Sequence, residues 1–192
     1  MQMPKHVISV WPKKPGGISD VVVKLTIGGA ISIFPVKFTR GKGGLHLSFP
    51  KTNSYVAEVK SPVLFIDMKA KKQVTRNIEK TYRPDKSSFR EFNRDQPIHI
   101  DYLVFPKKEV ASVVATAALE INHILRIRGI RLMEFPNGKR TIFPPERVQK
   151  VDGDYEFKPM IVFRDDWEEI ITNEIWRAYD EEMARRKGKE AR

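Results

Sequence analysis

The chain has 192 residues, 41% hydrophobic and 10% aromatic, with a formal charge of +11. That length and composition suit one ordinary domain or two small ones with a real core. There is no cysteine, which removes disulfides, thiolate metal sites and cysteine nucleophiles together. The charge is lopsided: residues 1–96 hold 18 Lys and Arg against 7 Asp and Glu, whereas residues 97–192 hold 17 against 17. The whole excess belongs to the first half. A field of that sign raises encounter rates with polyanions, of which nucleic acid is the commonest in a cell.

The opening, Met1-Gln2-Met3-Pro4-Lys5-His6, lacks the apolar core of a signal peptide, and no run approaches the length of a membrane span. A soluble cytoplasmic protein with no membrane partner is expected. Alternating and β-branched runs predict strands over 6–11, 20–27, 31–38 and 45–49. Pro12 closes the first, Gly28-Gly29 makes a tight hairpin turn, and Gly41-Lys42-Gly43-Gly44 makes the next. The period then changes. From Asp67, residues Met68, Val74, Ile78 and Tyr82 mark one face of a helix that Pro84 stops, and its polar face carries Lys69, Lys71, Lys72, Arg76 and Lys80.

Residues 84–97 are polar with proline near both ends and predict a linker, pinned to the surface by Phe89 and Phe92. Strands are predicted again over 98–105, 112–121, 124–132 and 140–143, with turns at Asn122-His123 and Pro136-Asn137-Gly138. A second helix starts at Asp165 or Asp166, buries Trp167, Ile170, Ile171, Ile175, Ala178 and Tyr179, and runs to about residue 187. Its polar face is acidic, with Asp165, Asp166, Glu168, Glu169, Glu174 and Glu181. Asp67, Asp165 and Asp166 are placed to cap free amides at helix N-termini. The basic segment 184–192 is expected to fray into disorder.

The two halves are one pattern written twice. An offset of 94 lays Val10-Trp11-Pro12-Lys13-Lys14 on Val104-Phe105-Pro106-Lys107-Lys108, and matches Leu25 with Leu119, Ile27 with Ile121, and Phe49-Pro50 with Phe143-Pro144. After an insertion the offset becomes 97, pairing Pro62 with Pro159, Thr75 with Thr172, Ile78 with Ile175 and Tyr82 with Tyr179. A repeat of this length is a small domain rather than a solenoid unit. The expected fold is α+β: copies at 1–83 and 98–183, each an antiparallel sheet followed by a helix, packed as a pseudo-twofold dimer.

Within the first copy, Val36-Lys37-Phe38, Gly41, Gly44-Leu45-His46-Leu47 and Phe49-Pro50-Lys51 resemble the motif of the SpoVG family (stage V sporulation protein G). The second copy has Ile130-Arg131-Leu132, Asn137-Gly138 and Phe143-Pro144 in those places, with Gly138-Lys139 where the motif has Gly-Leu. The resemblance implies a small α+β regulator that dimerises and binds DNA and RNA, here as two copies in one chain. It associates nucleic-acid contact with the basic loop after the step filled here by Phe49-Pro50 and Phe143-Pro144, which gives Lys51 in the first copy and Arg147 and Lys150 in the second.

Around the turns, Lys37, Arg40 and Lys42, and their counterparts Arg131, Lys139 and Arg140, extend a surface able to track a phosphate backbone without reading bases. On the first helix, Lys69, Lys72 and Arg76 (with Lys71) either contact phosphates or clasp the acidic second helix. Trp11, Phe34, His46, Tyr55 and Phe135 either stack unpaired bases or belong to the core. The four histidines show no ligand-like spacing, and neither a catalytic triad nor a nucleotide-binding glycine loop occurs. The reading is a non-catalytic nucleic-acid-binding protein without cofactor or metal. The alternative is an adaptor that binds a basic protein partner through the acidic helix 165–182.

Overall fold

The computed structural model describes residues 3–12, 21–41, 44–52, 59–83, 86–110, 112–152 and 154–190. Strands β1 (His6–Trp11), β2 (Val21–Ile27), β3 (Ile31–Gly41) and β4 (Gly44–Ser48) form an antiparallel meander, followed by the short β5 (Val63–Phe65) and helix α1 (Met68–Thr81). A strand β6 (Ser88–Phe92) comes next. The second half repeats the order with β7 (Ile100–Val110), β8 (Val113–Ile121), β9 (Leu125–Glu134) and β10 (Arg140–Phe143). A two-stranded ribbon of β11 (Glu146–Val151) and β12 (Asp154–Pro159) leads to the short β13 (Ile161–Phe163) and helix α2 (Asp165–Glu190). The fold is α+β, two antiparallel sheets each accompanied by a helix. No helix among the described residues is long and apolar enough to cross a membrane.

The sheets exchange strands. The first has the order β13-β3-β2-β1-β6 with β4 also on β3; the second is β10-β9-β8-β7 with β5 on β9. Thus β5, from the first copy, lies on the second sheet, with Val63 facing Ile127 and Phe65 facing Leu125. Reciprocally β13 lies on the first sheet, with Ile161 facing Ile33 and Phe163 facing Ile31. Each helix then returns to its own copy, α1 against β1 and β6, α2 against β7. This is the pseudo-twofold arrangement, made from one chain.

Alternation dictates the core. Along β1, His6, Ile8 and Val10 are buried while Val7, Ser9 and Trp11 are not. One continuous cluster joins inward residues of both sheets, such as Ile8, Leu25, Ile33, Leu119 and Ile127, to Val74 and Ile78 of α1 and Ile171 and Ile175 of α2. The halves share even an irregularity. The register shifts between Val23 and Leu25 in one and between Ala117 and Ala118 in the other, the same place at an offset of 94. The first-half turn needs glycine: Gly28 has φ +59°, and a Cβ there would lie 2.6 Å from Ile98 Cδ1.

The structure corrects several details. Pro62 O accepts Arg128 N at 2.7 Å and Met160 O accepts Phe34 N at 2.9 Å, so Pro62 corresponds to Met160, not Pro159. The offset at the exchanged strands is therefore 98, and it returns to 97 where Val74 and Ile78 match Ile171 and Ile175 in the helices. The segment expected as a linker carries β6, which adds to the edge of the first sheet. The segment 184–190 is helical rather than frayed, supported by Glu182, which pairs three and four places on with Arg185 at 2.6 Å and Arg186 at 2.8 Å. Met68 and Ile170, expected on buried faces, are exposed, and Trp176 is buried instead.

Ile33→Ala and Ile127→Ala each empty a buried site under an exchanged strand and are expected to cost about 2–5 kcal/mol. Because the crossings interlock the halves, calorimetry should show a single transition lowered in both variants; two separable transitions would contradict the interlock.

Candidate nucleic-acid interface

Helix α1 starts at Asp67, whose carboxylate accepts Lys69 N–H at 2.7 Å. That bond holds the Asp67 carboxyl below its usual range. Ala70, Val74, Asn77, Ile78 and Thr81 face inward. Lys69, Lys72, Arg76 and Lys80, spaced three and four apart, make a single stripe on the other side. The stripe borders a groove of about 540 Å³ between α1 and the end of β6, completed by Gln73, Asn77, Phe92 and Asn93. No ion pair among the described residues uses any of the four cations.

The floor of this groove is fixed by a buried network. His6 Nδ1 lies 2.7 Å from Pro4 O, so that nitrogen carries the proton. Nε2 then accepts from Asn77 Nδ2 at 3.1 Å, and the ring stacks on Phe92 with centroids 5.5 Å apart. Asn93 Nδ2 donates to Met3 O at 2.7 Å, and Gln73 Oε1 accepts Met3 N–H at 3.4 Å. Burial pushes the His6 pKa down, against the smaller opposing effect of its bond to Pro4. The site is a hydrogen-bonded polar floor under a row of cations that have no acidic partner among the described residues, suited to an extended anion.

The other expected residues fall elsewhere. Lys37 is exposed on β3, between Val22 of β2 and Ser48 of β4. Arg40 stands opposite Leu45 in the same ladder, and Lys51 is exposed just past β4. Lys42 and Tyr55 lie outside the described residues. In the second copy two of the five expected cations, Arg131 and Arg140, are engaged. Arg131 donates to Glu146 at 2.6 Å and lies 5.5 Å over the Phe143 ring. Arg140 pairs with Asp180 at 2.9 Å and Glu134 at 3.3 Å, and lies 4.7 Å over Trp176. The Asp180 bond leads the causes that raise its pKa. Lys139 and Lys150 are exposed, and Arg147 is half-buried opposite Lys158 on the ribbon. The structure thus brings together Lys69, Lys72 and Arg76, and places Lys37, Lys51, Arg131, Lys139, Arg140, Arg147 and Lys150 away from them.

The clasp between helices is not formed. Carboxylates of α2 pair with Arg177, Arg185 and Arg186 on the same helix and with Arg140, and no ion pair among the described residues joins α1 to α2. Among the aromatic candidates, Trp11 and Phe34 are exposed and meet edge to face at 5.8 Å, His46 is exposed, and Phe135 is half-buried.

Two of the scattered histidines do meet carboxylates, in a chain. His123 Nδ1 lies 3.1 Å from Glu120 and 3.5 Å from Asp101, whose other oxygen is 3.1 Å from His99 Nε2. Arg126 and then His123 hold the Glu120 carboxyl below its usual range. Among the described residues no group of three or more His, Asp or Glu is arranged to hold a metal.

Sequence reasoning missed the groove's far wall, Phe92 and Asn93, because it fell in a segment read as a linker. Lys80, one turn beyond Arg76, was legible as the fourth member of the stripe. Comparison of the chain with protein-family models, curated proteins and solved structures found no match.

His6 makes stability pH-dependent. Its pKa is lower folded than unfolded, so its contribution is complete above about pH 6.5, the ordinary imidazole value, and is lost as pH falls below it. Denaturant unfolding of wild type should weaken between pH 6.5 and 5. His6→Gln should be less stable at pH 7, by about 1–3 kcal/mol for the disrupted network, with a flatter profile over that interval.

Proposed function

We propose that this is a non-catalytic nucleic-acid-binding protein, a cytoplasmic regulator of the kind that the SpoVG resemblance implies, needing no cofactor. The observation that carries the reading is the α1 stripe: Lys69, Lys72, Arg76 and Lys80 without an acidic partner among the described residues, along one groove. Four cations in a row match a phosphate backbone, and each one engaged releases counterions from the nucleic acid. The excess of +11 in the first half supplies the long-range attraction. The second copy, electrically neutral and with Arg126, Arg131, Arg140 and Arg177 in ion pairs, acts mainly as the structural partner. Its acidic helix is the weaker candidate for a binding surface, since Glu174, Asp180, Glu181 and Glu182 already have cations.

Fluorescence anisotropy of labelled oligonucleotides across a salt series tests this. Replacing Lys69, Lys72, Arg76 and Lys80 by Ala should leave the circular dichroism spectrum intact. It should weaken binding and reduce the slope of log K against log salt by about 3, the release expected from four phosphate contacts. Binding and slope that match wild type would remove the groove from consideration.

A further inference from the structure

The side of the first sheet turned away from the core carries a second surface that the charge stripe does not use. Cross-strand partners share a face, so the registers define it. Phe89 of β6 pairs with Ser9 of β1, Trp11 pairs with Val22, Val22 with Lys37, and Lys37 with Ser48. The irregularity opposite Lys24 turns Phe34 to the same side between buried Ile33 and Val36. Three rings therefore stand in solvent: Phe89 is 80% exposed, and Trp11 and Phe34 are each 40% exposed. The positions among them hold small side chains, Ser9 and Val22, and two lysines, Lys24 and Lys37. No described acid pairs with either lysine, and Glu91 on this face is held by Lys5 at 3.0 Å and Arg94 at 3.5 Å.

We infer that this face is a stacking platform for unpaired bases, so that the ligand is single-stranded DNA or RNA. The inference rests on the nucleic-acid reading and specifies its substrate class. Exposed rings on a sheet offer π-faces to any base, and lysines between them meet the phosphates. Phe89 and Trp11 are diagonal neighbours across β6 and β1, about 7–8 Å apart in backbone position, which suits successive bases rather than one. A duplex keeps its base faces stacked and cannot use the rings. The platform belongs to the first copy. Phe105 and Arg131 repeat Trp11 and Lys37, but Arg131 is locked on Glu146, and Arg128 and Ala118 stand where Phe34 and Lys24 do. Strand β6 is shared by both surfaces: Phe92 lines the α1 groove and Phe89 faces the opposite side.

The test is anisotropy with the full chain and three labelled probes: a 12-mer of dT, a 12-mer of U and a 12-base-pair blunt duplex. Wild type should prefer the single strands. A Phe34→Ala, Phe89→Ala double variant should lose roughly tenfold or more of that affinity and leave duplex binding unchanged. Phe89→Ala alone, at an edge-strand position that is mostly solvent, guards against misfolding and should lose about half of the effect on a logarithmic scale. Whichever single strand binds better names the sugar. Equal affinity for all probes, unmoved by the aromatic variants yet lost when the α1 cations are removed, would overturn the platform and leave the phosphate reading standing. No binding by wild type at low salt would overturn both. A fall in sedimentation mass on removing the rings would assign the face to self-association and overturn the inference as well.

Discussion

Everything in this molecule depends on two three-residue strands that change sides. Strand β5 completes the second sheet and β13 completes the first, so each half supplies a piece that the other lacks. Val63, Ile161 and Phe163 are buried at these crossings, against Ile127, Ile33 and Ile31. A half on its own would leave a strand edge unpaired on β3 or β9 and apolar surface uncovered, which a unit of that size can ill sustain. Covalent linkage makes this exchange intramolecular and hence independent of concentration. It also frees the halves from being identical.

The freedom has been used electrostatically. Positions 94 apart share a place in the fold but not a chemistry: Thr26 and Glu120, Gly29 and His123, Ser32 and Arg126. In the second copy added carboxylates take up some of the cations, Glu120 with Arg126, Glu146 with Arg131, Asp180 with Arg140. Of these, the more exposed pair of Asp180 with Arg140 contributes only about 0–1 kcal/mol. The larger effect of the three pairs is to withdraw charge from other uses. In the first copy the α1 stripe and Lys24 and Lys37 have no such partners among the described residues, so a symmetric scaffold presents an asymmetric field.

How much of this could be read beforehand follows from the length and locality of each signal. The eight strands of the two meanders were legible as alternating or β-branched runs, and both helices announced themselves by a change of period after an aspartate. The six-residue β11 and β12 were not legible, since their segment reads as part of a basic loop. Strands β5 and β13 were not, because three residues carry no periodicity and their partners lie 64 and 128 positions away in the chain (Val63 with Ile127, Ile33 with Ile161). Strand β6 escaped because an edge strand with Phe89 and Arg90 in solvent reads as polar linker. Opposite charges on the two helices suggested a clasp that does not form, since each helix is held on its own sheet by buried residues, Val74 and Ile78 in one and Ile171 and Ile175 in the other. Of the candidate site, the stripe was visible as spacing; its opposing wall was not.

Strand β6 connects these observations. It follows α1 closely and pairs with β1, so the same few residues close the groove on one side and widen the open sheet face on the other. Strand β7, the counterpart of β1, is the last strand of its sheet. The extra strand, like the α1 stripe and the grouping of Trp11, Phe34 and Phe89, belongs to the first copy. Alternation within β6 decides which surface each residue serves: Phe92 stacks on buried His6 and stands over the groove floor, whereas Phe89, three residues earlier, points to the opposite face. A segment whose sequence reads as a tether between copies therefore forms the shared edge of both candidate surfaces. On the proposed reading, a polymer that reaches over that edge would lay phosphates along α1 and bases across the sheet, which a compact anion would not.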